Sequence, residues 1–242
     1  MIPPHINDNT KGLVFLGSNS NLYKFTQVCT EHGIAVTGII DSDYYGNTED
    51  VCGIPVIGSF EDFDNPEKLE IFKTNHNFFC ATNWMPMTDS VTTRNRQKRK
   101  QIIDLINKHQ LECISLINSR AEVSPHAILG RNVYVDCFVL VEAFANLCDF
   151  SSVYAYTGVG HHSTVGHNSV VQRHVSMTGS TQIGSDVYVS IASKLLKGDA
   201  VISNGTFIHE GITLHRGTVP NEVVSLTGEN TRRVSSQYTE IK

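Results

Sequence analysis

The chain has 242 residues, 40% of them hydrophobic and 18% charged, which is enough apolar material for one large domain or two small ones. Its formal net charge of −5 gives no reason to expect a nucleic-acid partner or an anionic membrane surface, and no apolar run reaches the length of a bilayer span. Met1 to His5 lacks the basic and apolar halves of a signal peptide. The six cysteines form no Cys-x-x-Cys pair, so a reducing cytoplasm is expected rather than a zinc ribbon or a disulfide framework.

In chain order, Leu13 to Leu16 reads as a buried strand ending at Gly17. Leu22 to His32 has helical apolar spacing, and Gly33 closes it where a positive φ is often needed. Ile34 to Ile40 is a second strand, ending at Asp41. A helix follows over about 64–72, then a strand over Phe78 to Ala81, a basic helix over about 93–109 and a strand over Cys113 to Ile117. Strands alternating with helices imply a parallel sheet of Rossmann-like α/β type, which binds ligands outside the carboxyl ends of its strands. Gly17-Ser18-Asn19-Ser20-Asn21 occupies the place of a phosphate-cradling loop with a single glycine, and Asp41 stands where a ribose-binding acid would be. The cations Arg94, Arg96, Lys98, Arg99 and Lys100 read as a solvated helix face, with the holding of a diphosphate as the alternative.

From residue 123 onward a period of six dominates. Every sixth residue from Val123 through Val159 and Ile183 to Val201 and Phe207 is apolar, fifteen positions in all. At 40% hydrophobic content chance would give this about once in a million trials, so the repeat is real. A second column, from Ala127 through Ser163 to Ser193, holds small or β-branched residues. Helices repeat every 3.6 residues and free strands every two. A period of six therefore implies short strands and tight turns wound as stacked coils, three hexads to a coil, with the large column inside and the small column at the corners. The coil is expected over about 119–217, with a tail from Val219 that is largely irregular and packs on the last coil at its start.

An α/β front domain over 1–117 joined to a hexapeptide-repeat domain over 118–242 resembles the nucleotide-sugar acetyltransferases that include sialic acid O-acetyltransferases and bacillosamine-type amino-sugar N-acetyltransferases. The resemblance implies a left-handed parallel β-helix, a homotrimer, acetyl-CoA between neighbouring β-helices and a UDP- or dTDP-linked amino sugar held by the front domain. It places the catalytic histidine in Val159-Gly160-His161-His162-Ser163-Thr164-Val165-Gly166, at His161 with His162 beside it. It assigns Gly179, Ser190, Ile191 and Gly211 to the coenzyme, and Gly17, Ser18, Asn19, Asp41, Asp43 and Asn83 to the nucleotide sugar. No metal is implied. The chain departs from the family in having His162 where a carboxylate is usual and Val170 in place of a second histidine. Its front loop lacks glycines, Trp84 to Thr92 is inserted, and the end of the helix reads Thr227-Gly228-Glu229-Asn230.

The chemistry suits His161. An amine or hydroxyl attacking a thioester must lose a proton, and imidazole accepts one near neutrality. Backbone N–H groups at the coil turns are expected as oxyanion donors. Two other readings compete: a non-catalytic scaffold, and a zinc hydratase of the γ-carbonic anhydrase type using His126, His162 and His167 at subunit interfaces. The second suffers in phase, because His126 and His162 fall three places after a repeat residue and His167 two.

Overall fold

The computed structural model describes residues 11–82, 90–225 and 231–232, and the chain divides after Leu116 into two compact units. In the first, β1 (Gly12–Leu16), α1 (Leu22–Glu31), β2 (Val36–Ile40), β3 (Asp50–Val51), β4 (Ile54–Gly58), α2 (Pro66–Asn75), β5 (His76–Cys80) and α3 (Ser90–His109) follow one another. The sheet runs β3-β4-β2-β1-β5, parallel throughout except for the edge strand β3. The hairpin of β3 and β4 has no counterpart among the elements expected from the sequence. Gly33 has φ +67, as its place after α1 requires. Asn65 caps α2, its Oδ1 accepting from the N–H groups of Glu67 and Lys68, with Pro66 at the first helical position.

The core of this unit is aromatic. Phe15, Phe25 and Phe79 meet on one side with ring centroids 5.0 to 6.3 Å apart, and Phe63 meets Phe72 and Phe78. Cys29 packs beside Val28 on the buried face of α1, and burial pushes its thiol up to about 12. It is an inert packing residue. The strand expected over Cys113 to Ile117 is shorter. Cys113 makes a single bridge to Phe78, and regular pairing resumes only at Leu116–Ile117, which belongs to the coil.

The second unit is a three-faced parallel β-helix of two-residue strands, running from Leu116–Ile117 to Glu222–Val224. Leu140–Val141 pairs with Gly158–Val159, and that strand with Ser176–Met177, so one coil takes 18 residues. The second residue of each strand points inward: Val135, Val141, Leu147, Val153, Val159, Val165 and Val171 are fully buried. Eleven of the twelve residues in the small column are buried and Ala127 half-buried. The hydroxyls of this column tie successive coils together. Ser163 Oγ donates to Thr178 O and accepts from Thr181 N–H; Ser169 Oγ does the same with Gly184 O and Val187 N–H. At Ser163 and Ser169 burial of the hydroxyl is offset because both donor and acceptor are met, whereas Ser151 Oγ is buried without a partner.

The apolar column ends earlier than the period of six implies. Between Leu195 and the next strand the chain gains one residue at Lys197-Gly198-Asp199, and pairing shifts from 18 to 19, as in Gln182 with Val201. Val201 therefore faces outward and is 55% exposed, while Ile202, Ile208 and Leu214 take the inward places. The tail packs on the last coil at its start, by strand pairing. Glu222–Val224 extends a sheet, Thr231–Arg232 returns antiparallel to it, and the buried Glu222 carboxylate is paired with Arg216.

The corners have a property that no column of residue types announces. Asn132, Phe138, Phe144, Phe150, Tyr156, His162, Asn168, His174, Ser180, Asp186 and Ala192 all have φ between +54 and +62. A left-handed backbone costs roughly 1–2 kcal/mol for a residue with a Cβ. From Phe138 onward it aims each N–H at a carbonyl of the coil before, as from Phe144 to His126 O and from His162 to Ala143 O. The side chains stack in turn from coil to coil. Phe138, Tyr156 and His174 form one ladder with interplanar angles of 17° and 3°, and His126, Phe144 and His162 form another.

Candidate functional site

His161 and His162 sit at one corner of the β-helix, both exposed, in the turn between Gly158–Val159 and Thr164–Val165. The His161 peptide N–H donates to Glu142 Oε2 at 2.8 Å, one coil back, and its carbonyl accepts from Ser180 N–H one coil ahead. The His162 carbonyl accepts from Gln182 Nε2 at 3.1 Å. The turn is thus fastened from both neighbouring coils. Glu142 was missed by the sequence reading; it becomes visible when residues are compared one coil apart rather than one hexad apart.

The imidazole of His161 lies over Gly179. A Cβ built on Gly179 would come within 2.5 Å of His161 Cε1 and Nε2, so the ring occupies the space a side chain at 179 would need. Gly179, assigned by resemblance to the coenzyme, is in the structure the seat of the catalytic candidate. The two histidine rings meet edge to face at 87°, with Nδ1 atoms 3.1 Å apart.

The other coenzyme candidates form a separate group. Ser190 and Ile191 lie at the preceding corner, Ser190 nearly buried and Ile191 40% exposed. Gly211 joins them from one coil ahead, its N–H donating to Ile191 O at 2.9 Å; with φ +69 and open space around it, it leaves that corner uncovered. The N–H groups of His161, His162 and Ser180 are all bonded between coils, so the expected oxyanion donors are not found among these three. His126 and His162 sandwich Phe144, and His167 packs against Phe150 at another corner. Within one chain the three histidines of the zinc reading therefore do not converge. Among the described residues no group of three or more His, Cys, Asp or Glu is placed to hold a metal ion.

In the first unit, the strand order reverses between β1 and β5, and ligands in open parallel sheets bind beyond the carboxyl ends of the strands at such a point. Gly17 follows β1 and has φ +73, with Thr82 Cγ2, Ile102 Cδ1 and Lys98 Cε crowding the place of a Cβ. Ser18 Oγ donates to Asp41 Oδ2 at 3.3 Å, and Asn19 Oδ1 accepts from Asn21 N–H at 2.7 Å. Asp41 is fully buried. Lys98 Nζ lies 2.5 Å from its Oδ1 and 2.7 Å from its Oδ2, and Asp43 N–H donates to it at 3.0 Å. The Asp43 carboxylate, half-exposed, takes the same lysine at 2.8 Å.

Two expectations change here. Lys98 and Arg99 are not a solvated face: both are buried, Lys98 on the two aspartates and Arg99 on Thr82 O and Cys80 Sγ. Asp41, with both oxygens engaged, holds the loop, and Asp43 is the carboxylate that faces out. Asn83, the start of the Trp84 to Thr92 insertion and the Thr227 to Asn230 motif lie outside the described residues.

The fold places the chain in the class of proteins that join an α/β unit to a hexapeptide-repeat β-helix. Among solved structures it is similar to PerB from Caulobacter crescentus in complex with CoA and GDP-perosamine, at 19% identity and a TM-score of 0.74, covering 92% of this chain and 98% of that one. A mutant of the same organism's perosamine N-acetyltransferase, with the same two molecules bound, gives 19% identity and 0.75 over 92% and 97%. The acetyltransferase domain of PglB from Neisseria gonorrhoeae gives 17% and 0.50 over 88% and 95%. No protein-family model matches the chain, and no curated protein matches its sequence. At these identities the likeness establishes the fold, and the stacked parallel strands fit the left-handed coil expected from the sequence. No helix among the described residues is long and apolar enough to cross a membrane.

Proposed function

We propose that this chain is an acyltransferase that moves the acetyl group of acetyl-CoA to an amino group, or a hydroxyl, of a nucleotide-linked sugar. The observation that carries the reading is the exposed imidazole of His161 seated over Gly179 at a fastened coil turn, in a fold shared with an N-acetyltransferase bound to CoA and a nucleotide sugar. The first unit, read as Rossmann-like, takes the nucleotide at the carboxyl ends of β1 and β5, with Asp43, Ser18 and the loop from Gly17 at its mouth. Ser190, Ile191 and Gly211 are read as coenzyme contacts.

In this mechanism the acceptor nitrogen attacks the thioester carbonyl while His161 Nε2 removes a proton from that nitrogen. The tetrahedral intermediate collapses with loss of the CoA thiolate, which takes the proton from the imidazolium and leaves as CoA-SH. Both substrates bind together and no acyl-enzyme forms. Release of CoA thiol from acetyl-CoA, measured with a panel of UDP-, dTDP- and GDP-linked amino sugars, tests the reading. No turnover with any member would favour the scaffold. A working site shared between neighbouring β-helices requires a trimer, so sedimentation is expected to give a species of about three times 26.8 kDa; a stable monomer at micromolar concentration would overturn the shared site.

Gly179→Ala separates seating from folding. The backbone at 179 does not have the left-handed conformation that an alanine would resist, and what a new methyl group meets is the His161 ring rather than the coil. The melting temperature is expected to hold while kcat falls about 10²-fold, the usual cost of misplacing a reacting group by an ångström. A fall in KM-dependent rate alone would return Gly179 to the coenzyme.

A further inference from the structure

Two imidazole nitrogens 3.1 Å apart form a hydrogen bond only if one carries a proton and the other does not. His161 and His162 meet in this way through Nδ1 and Nδ1. His162 is held before any ligand arrives: its N–H is bonded to Ala143 O, its carbonyl to Gln182 Nε2, and its ring lies against Phe144 at 4.9 Å, which stacks in turn on His126 at 5.5 Å. The partner ring is held by Gly179 beneath it and by Glu142 on its peptide N–H. The direction of the shared proton decides what His161 can do. If His162 donated, the proton of neutral His161 would sit on Nε2 and block that nitrogen as a base. If His161 donates, Nε2 is bare.

We infer that His162 is a positioning residue that fixes the tautomer of His161. His161 carries its proton on Nδ1 and donates it to Nδ1 of His162, which leaves Nε2 free to take the acceptor's proton. The inference rests on the reading of His161 as the base. His162, a neutral acceptor, stands where the family this chain resembles usually has a carboxylate. It therefore orients the ring without supplying an ion pair to the imidazolium. During turnover the Nδ1 hydrogen bond persists, and the proton gained at Nε2 leaves on the CoA sulfur.

The test uses the full chain with 15N-labelled histidine, together with His162→Asn and His162→Ala. Asn Oδ1 reaches the place of imidazole Nδ1, and Asn168 and Ala192 hold the same left-handed backbone at neighbouring corners, so both variants suit the turn. In the wild type, NMR of the ring nitrogens is expected to show His161 protonated at Nδ1 and bare at Nε2, with His162 bare at Nδ1. His162→Ala is expected to lower kcat about 10-fold to 10²-fold with KM unchanged and to move the His161 proton to Nε2. His162→Asn is expected to recover most of that rate and keep the tautomer. A wild-type His161 protonated at Nε2 overturns the inference, and so do Ala and Asn variants of equal rate. The NMR readout does not require turnover, so the expected tautomer in a chain that acetylates nothing would sink the proposed function and leave the pairing intact.

Discussion

Replacing His161 by alanine is expected to lower kcat at least about 10²-fold with little change in either KM, because a general base acts on the transition state and contributes little to ground-state binding. Folding should be unaffected: the ring is exposed, and the turn is fastened through the His161 peptide N–H and carbonyl rather than its side chain. The comparison with His162→Ala gives the measurement its meaning. The base should be the costlier loss and the positioning residue the milder one. If His161→Ala stays near wild type while His162→Ala is dead, the roles of the two rings are exchanged. If both variants stay active, proton removal at this corner is not part of the mechanism.

Asp41→Ala is expected to damage the fold before it damages binding. Its carboxylate is fully buried and carries two contacts from a lysine that is itself 8% exposed, so removing it leaves that buried cation with the half-exposed Asp43 carboxylate alone. Breaking one side of a buried pair costs about 3–5 kcal/mol, whereas replacing both partners by apolar groups is often close to neutral. The unfolding transition of the first unit should therefore fall sharply in Asp41→Ala and recover much of the loss in the double variant with Lys98→Met. Asp43→Ala should leave stability nearly unchanged, since its side chain is 54% exposed, and raise the KM of the sugar acceptor while leaving that of acetyl-CoA alone. A stable Asp41→Ala variant with a raised acceptor KM would restore Asp41 as a direct contact.

The parallel sheet, the helix closed at Gly33 and the coil of hexads were all legible in the residues, because burial repeats with the geometry of the element that buries. A strand alternates every two residues and a coil face every six, so apolar side chains report the period without any knowledge of the partners. The reading failed where a single residue entered the repeat. At Lys197-Gly198-Asp199 the inward column moved to Ile202, and Val201, still in sixth place and still apolar, turned outward. Valine at either place looks the same in a sequence.

His161 is a candidate because its turn keeps the spacing of the family it resembles, but its surroundings could not be read in the same way. Glu142, Phe144 and Gly179 lie 17 to 19 residues from His161 along the chain, and His126 two coils away. They become neighbours only once a coil closes and stacks on the next. The left-handed corners are a property of the backbone, imposed by the need to aim an N–H at the coil before, and they hold phenylalanine and tyrosine, which have no intrinsic preference for that conformation. The pairing of Asp41 with Lys98 spans 57 residues and exists because the end of β2 and a buried turn of α3 are brought together in the folded first unit. Local period and local turn chemistry are written in the chain; which charge is buried, which ring a glycine leaves room for, and which nitrogen of a histidine is bare are decided by what the fold sets beside them.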